Sequence, residues 1–331
     1  MKAEPNIGMV NVPDKRLEKL TEMVAPEKVI PATVEIVDIA GLVKGASEGE
    51  GLGNQFLSNI RETDAIIHVL RCFENDNIVH VEGSVSPLRD KEIIDLELQI
   101  KDLETTEKRL EKVKRNAKTG NKDAQAERAV LEKIKACLED GKSVRSLEFS
   151  EKEMPFVKTL QYLTKKPVLY VCNVNESEAT TGNDYVETIK KVAEEENAEV
   201  LTLAIGTEAD IQELETSEER EMFLADLGLT EPGAAKLIRT AYKLLSLQTY
   251  FTAGKKEVRA WTIPIGATAP EAAGVIHTDF EKGFIRAEVI KYDDFVTLGS
   301  EAKVKEAGKL AVEGKEYIVA DGDMMNFRFN V

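Results

Sequence analysis

Several signatures are missing from this chain of 331 residues. No run approaches the ~20 consecutive apolar residues of a membrane helix, so a membrane is not among the expected partners. The opening residues, Met1-Lys2-Ala3-Glu4-Pro5-Asn6, hold no apolar segment of a secretory signal, which points to a cytoplasmic protein. The 3 cysteines, Cys72, Cys137 and Cys172, are odd in number and widely spaced. They exclude a disulfide framework and read as reduced, buried thiols. His68, His80 and His277 are distant in sequence and make no zinc pattern. Positive charge is short: 44 Lys and Arg against 60 Asp and Glu leave a net charge of −16. That argues against broad electrostatic binding to nucleic acid and against sequence-specific DNA as a partner, while leaving room for a local basic face. The most consequential absence is that of a Gly-x-x-x-x-Gly-Lys-Ser/Thr phosphate loop anywhere in the sequence.

What is present makes that absence notable. The run Val34-Glu35-Ile36-Val37-Asp38-Ile39-Ala40-Gly41 reads as a buried strand ending in an acid, with a glycine three positions later. Asp38 can hold Mg²⁺, directly or through water, and Gly41 can offer its N–H to a terminal phosphate. A glycine-rich stretch, Gly49-Glu50-Gly51-Leu52-Gly53-Asn54, follows. Leu42 stands where many switch GTPases carry the Gln that positions the attacking water. Leucine cannot orient water, so no catalytic residue is assigned.

Apolar spacing organises the rest of the chain. A short helix around Leu17, Leu20, Met23 and Val24 stops at Pro26. Residues 65–73, 167–173 and 200–204 read as strands, separated by helices over 186–196, 208–226 and 233–246. Near-continuous apolar strands alternating with helices predict a parallel sheet covered on both faces. Between them, from Pro87 to about Glu148, the chain is highly charged. Ile93, Leu96, Ile100, Leu103, Leu110, Val113 and Ala117 step by three and four, with a polar gap at Glu107. Ala126, Leu131, Ile134 and Leu138 form a second stripe after a turn at 118–122. This predicts an antiparallel helical hairpin close to a coiled coil, read as an interaction arm with a plain structural insert as the alternative. After Leu247, alternating segments indicate a small α+β module.

A second strand end, Asn173-Val174-Asn175-Glu176, falls where guanine-specific proteins place Asn-Lys-x-Asp. Val174 replaces the Lys and Glu176 the Asp, which argues against strict guanine specificity. Ordinary turn chemistry at a strand end is the alternative for this tetrapeptide taken alone. Gly141-Lys142-Ser143 has Ala136 where a phosphate loop would begin and follows a helix, so it is set aside. Gly49-x-Gly51-x-Gly53 lacks dinucleotide-loop spacing.

Several longer segments together resemble the Obg-like ATPase family, the YchF branch of the Obg-related P-loop GTPases. They are 38–46, 49–54, Asn59-Ile60-Arg61-Glu62-Thr63, Arg71-Cys72-Phe73-Glu74-Asn75-Asp76, 247–254 and 277–284. The likeness runs from Glu4 to Val331. It implies an α/β fold: a P-loop NTPase-type parallel sheet, incomplete at the N-terminus, with an inserted coiled-coil hairpin and a C-terminal β-grasp (TGS) domain. The implied domains are 1–85 with 150–246, 86–149, and 247–331. The resemblance further implies ATP as ligand with GTP weaker, Mg²⁺, slow hydrolysis, and nucleotide contacts from Asp38, Gly41, Asn173, Val174, Asn175, Glu176 and Ala204. It implies association with the ribosome, through the large subunit, and a link to stress response. The family's first strand, phosphate loop and first switch would precede Glu4, so an N-terminally shortened sequence is expected. A nucleotide-dead ribosome-binding module is the alternative.

Overall fold

The computed structural model describes residues 6–39, 52–118 and 120–330. Gly41, Leu42 and the glycines at 45, 49 and 51 lie outside the described residues. Strand β1 (Asn6–Asn11) pairs with β3 (Thr33–Asp38) in a two-stranded sheet. Helix α1 (Lys15–Val24) and the short β2 (Lys28–Ile30) lie between them in sequence. Asp14 starts α1 by accepting the Arg16 N–H at 2.9 Å, which satisfies one of the helix's orphan donors. Ala25, in the left-handed region at φ 47°, ends it just before Pro26.

The chain then builds α2 (Leu52–Glu62), β4 (Ile66–Arg71), α3 (Pro87–Ala117), α4 (Lys122–Glu139) and α5 (Met154–Leu160). It continues with β5 (Val168–Asn173), α6 (Asp184–Glu195), β6 (Glu199–Leu203), α7 (Ile205–Glu213), α8 (Ser217–Asp226) and α9 (Gly233–Leu244). β4, β5 and β6 form a parallel sheet with β5 central, in the register Arg71↔Asn173↔Leu203. Every residue of β5 before Asn173 is buried, as its apolar run requires of a strand covered on both faces. Leu70, Cys72, Tyr170, Cys172 and Val174 pack with Val186, Ile189 and Ala193 of α6 and its flank. Cys72, Cys137 and Cys172 are buried free thiols.

The helical hairpin is present, with α3 running 31 residues, about 46 Å at 1.5 Å per residue. Its tip follows the predicted stripe: Leu110, Val113, Ala117 and Leu131 form one apolar cluster. The polar gap at Glu107 is used, because Lys135 of α4 pairs with it at 2.5 Å. Its base departs from the predicted stripe. Leu96 and Ile100 are 54% and 39% exposed, and Ala126 is exposed while Ala124 is buried. The base of α3 packs on the α/β layer through a different face. Leu98 joins Leu57, Ile60 and Leu163, and Asp102 is fully buried. Asp102 accepts from the Leu163 N–H, the Thr164 N–H and the Thr164 hydroxyl at 2.9, 2.8 and 2.7 Å. Three hydrogen bonds to a carboxylate set the helix phase that apolar spacing alone had assigned to Leu96 and Ile100.

The C-terminal part comprises β7 (Leu247–Ala253), β8 (Glu257–Pro264), α10 (Ala269–Ile276), α11 (Thr278–Lys282), β9 (Phe284–Ile290), α12 (Tyr292–Leu298), α13 (Glu301–Glu306), β10 (Ala311–Glu313) and β11 (Met324–Phe329). A six-stranded sheet runs in the order β10-β9-β11-β7-β8-β2. One face packs Tyr250, Ile263, Phe284, Val289 and Phe327 against Ala269, Ala272 and Ala273 of α10. The other packs Phe251, Val258 and Met324 against Leu17 and Leu20 of α1 and Ile238 and Tyr242 of α9. Residues 1–7 with 37–234 thus form one compact unit, and 8–36 with 235–331 another. Residues 8–36, which the sequence reading placed in the nucleotide-binding part, share a core with the C-terminal part. The reason is β2, which adds in parallel to β8, and Arg16, which donates to Asp14 and to Asp321 at 2.8 and 2.7 Å.

Candidate functional site

The site is built where β5 and β6 end side by side. The β5–β6 ladder continues one residue past β5: the Val174 N–H donates to the Leu203 carbonyl at 2.9 Å. This holds Val174 at 4% exposure. Asn173 reaches across the two strands, its Oδ1 accepting the Ile205 N–H at 3.0 Å. Ala204, 5% exposed, is the residue that turns β6 into α7. Asn175 opens a 3₁₀ turn over Glu176–Glu178 and makes a reciprocal cap with Glu178, whose carboxylate accepts the Asn175 N–H at 3.3 Å. Such a cap fixes the entry of the chain into the turn. Glu176 stays exposed, and its Oε2 accepts from the Thr207 hydroxyl at 3.2 Å.

The surroundings are equally fixed. Glu208 of α7 accepts the Gly233 and Ala234 N–H groups at 2.7 and 3.0 Å, a favourable place for a carboxylate at the start of α9. A Cβ on Gly233 would lie 2.3 Å from Leu203 Cδ2, so a larger residue here would require that side chain to shift. On the other side, Asn183 donates to the Cys72 carbonyl at 2.7 Å. Arg71 donates to the carbonyls of Phe73, Asn75 and Ile78 at 3.1, 3.3 and 2.9 Å, shaping the loop after β4.

Of the sequence-predicted residues, Asn173, Val174, Asn175 and Glu176 lie in the turn after β5, and Ala204 lies beside them at the end of β6. Asp38 sits, exposed, at the end of β3 in the two-stranded sheet. Among the described residues, no group of three or more His, Cys, Asp and Glu could hold a metal ion. Asp38 is nonetheless the donor type that Mg²⁺ takes, since this ion binds through one or two carboxylates and keeps several waters. Thr207 escaped the sequence reading. Its position three residues after Ala204 is the only signal that could have found it, and that signal is weak without knowing that the helix begins at Ile205.

The turn thus gathers a carboxamide, a backbone segment at Val174 and a carboxylate bonded by a hydroxyl at one sheet edge. Ligands of open α/β sheets sit at this edge, beyond the carboxyl ends of the strands. Among the described residues, no helix is long and apolar enough to cross a membrane.

Comparison with known proteins places the whole chain in a family. A family model described as "50S ribosome-binding GTPase" matches residues 11–119. The YchF-GTPase C-terminal model, described as a protein of unknown function (DUF933), matches residues 247–330. The ribosome-binding ATPase YchF of Escherichia coli O157:H7 is 57% identical over 328 residues, 99% of this chain and 90% of that relative. The protein of the same name from Bacillus subtilis strain 168 is 54% identical over 330 residues, 99% of this chain and 90% of the relative. The solved structure of the Schizosaccharomyces pombe YchF GTPase superposes with a TM-score of 0.88 at 39% identity, covering 98% of this chain and 88% of that one. A likeness of this extent fits a P-loop NTPase fold, and the chain belongs to the YchF family.

Proposed function

We propose that this protein binds ATP in preference to GTP at the β5–β6 edge, hydrolyses it slowly, and uses the nucleotide state to control its association with the large ribosomal subunit. The observation that carries this reading is the altered strand-end segment Asn173-Val174-Asn175-Glu176, held rigid by Asn173–Ile205 and Glu176–Thr207, in a chain whose relatives across nearly its whole length are named ribosome-binding ATPases. Selection of a purine is strict where a bound base covers the polar groups it faces, because a mismatched edge then leaves them unpaired. The absence of a Lys stem at this turn, and the longer Glu176 in place of an Asp, disfavour the pairing that guanine would need.

Asp38 would hold Mg²⁺, through water or directly, with Gly41 offering its N–H to the terminal phosphate. When bound, Mg²⁺ supplies charge neutralisation at the phosphates. Leu42 orients no water, so slow turnover is the expectation. The 86–149 hairpin is the proposed coiled-coil arm for ribosome contact, and 247–331 the proposed TGS domain. A cytoplasmic location and a part in stress response follow from the same reading.

A second reading has one observation in its favour: the sequence contains no Gly-x-x-x-x-Gly-Lys-Ser/Thr run. It makes the protein a ribosome-binding module without nucleotide control. Equilibrium titration with ATP and GTP in the presence and absence of Mg²⁺ separates the two. Mg²⁺-dependent ATP binding supports the first reading, and its absence supports the second.

A further inference from the structure

Two hydrogen bonds tie the turn after β5 to the first turn of α7. The Asn173 bond uses the Ile205 backbone, which any residue at 205 other than proline would supply. The Thr207 bond depends on a side chain. Thr207 is 5% exposed, and its hydroxyl donates to Glu176 Oε2 at 3.2 Å. The carboxylate it holds is exposed and belongs to the residue that replaces the guanine-pairing Asp.

The two purines differ at the edge such a carboxylate would face. Guanine presents N1–H and N2–H donors. Adenine presents N1 as an acceptor and no donor at C2. A carboxylate free to swing to that edge gains bonds with guanine and meets a lone pair on adenine. We propose that Thr207 is a positioning residue for base choice: its hydroxyl holds the Glu176 carboxylate away from the purine edge and thereby disfavours guanine. The proposal rests on the reading of residues 173–176 as the base-recognition turn.

The test is competition of ATP and GTP against a fluorescent ATP analogue on the full chain. Thr207→Val keeps the volume and removes the donor. The ratio of ATP to GTP affinity should fall about tenfold, the scale of a hydrogen bond to a charged group. Thr207→Ser should keep the ratio of the parent protein. In a Glu176→Ala background, Thr207→Val should have no further effect, whereas a merely structural role would persist there. Thr207→Ala provides a second variant should the valine form fail to fold. An unchanged ratio in Thr207→Val or Thr207→Ala overturns the proposal, as does a shift that survives in Glu176→Ala. If Glu176→Ala also leaves the ratio unchanged, the base-recognition reading of the turn falls with it.

Discussion

Asp102 anchors the hairpin, and its replacement by alanine gives a sharp test of that role. The carboxylate has no exposure and accepts from two backbone amides and one hydroxyl, at 2.9, 2.8 and 2.7 Å. Burial pushes its pKa up, and the bonds from Thr164 and Leu163 pull it down without cancelling that rise. Asp102→Ala strands the Leu163 and Thr164 amides. Each orphaned buried donor costs ~1–3 kcal/mol. The Thr164 hydroxyl can turn elsewhere, and removing the buried charge returns part of its desolvation cost. The net loss should therefore be about 3 kcal/mol. Amide hydrogen exchange is the assay, because it reads the 163–165 turn directly. A loss of that size should reduce protection of the Leu163 and Thr164 amides by about 100-fold. Asp102→Asn, which keeps an acceptor, should lose less. Unchanged exchange at both amides in Asp102→Ala would refute the reasoning.

Other perturbations follow from the same kind of accounting. Lys91, 3% exposed, bonds Asp95 and Glu196 at 2.6 and 2.5 Å; Lys91→Met should cost about 3 kcal/mol in denaturant unfolding, because Asp95 loses its cation while Glu196 keeps the Tyr170 hydroxyl at 2.7 Å. Gly283 leaves no room for a Cβ, which would lie 2.1 Å from the Asn330 carbonyl oxygen; Gly283→Ala should cost about 3 kcal/mol, read as a lowered Tm. Hydrogen bonds from Lys101 and Lys108 hold the Glu104 carboxyl down at about 2, from an ordinary 4.5. Its stabilising effect is complete above pH 4.5 and is lost as the pH falls towards 2, so Glu104→Gln should flatten the acid-side loss of helical circular dichroism. Burial lowers the His68 pKa to about 4 from 6.5, so its ring protons should show no titration by NMR between pH 8 and about 5.

The elements that sequence made legible are those whose pattern is local. β5 could be read from Val168 to Asn173 because it is apolar on both faces, and the hairpin tip because Leu110, Val113 and Ala117 keep helical spacing. The strand-end turn was legible as a candidate site because Asn173 and Glu176 follow such a strand directly. What escaped depends on partners distant in the chain. Leu96 and Ile100 satisfy the same spacing as the tip, yet Asp102, bonding residues 61 and 62 positions away, sets the face that is buried. The three residues of β2 carry no strong strand signal, and they are a strand because β8, more than 200 residues on, pairs with them. Thr207 gained meaning only when Glu176 was seen beside it.

The most direct measurement is co-sedimentation of the purified protein with ribosomal subunits, with Mg²⁺ and either ATP, GTP or no nucleotide. The account predicts that the protein pellets with the large subunit, in an amount that ATP changes and GTP at equal concentration does not. Failure to pellet under all three conditions, or an equal response to ATP and GTP, would contradict it.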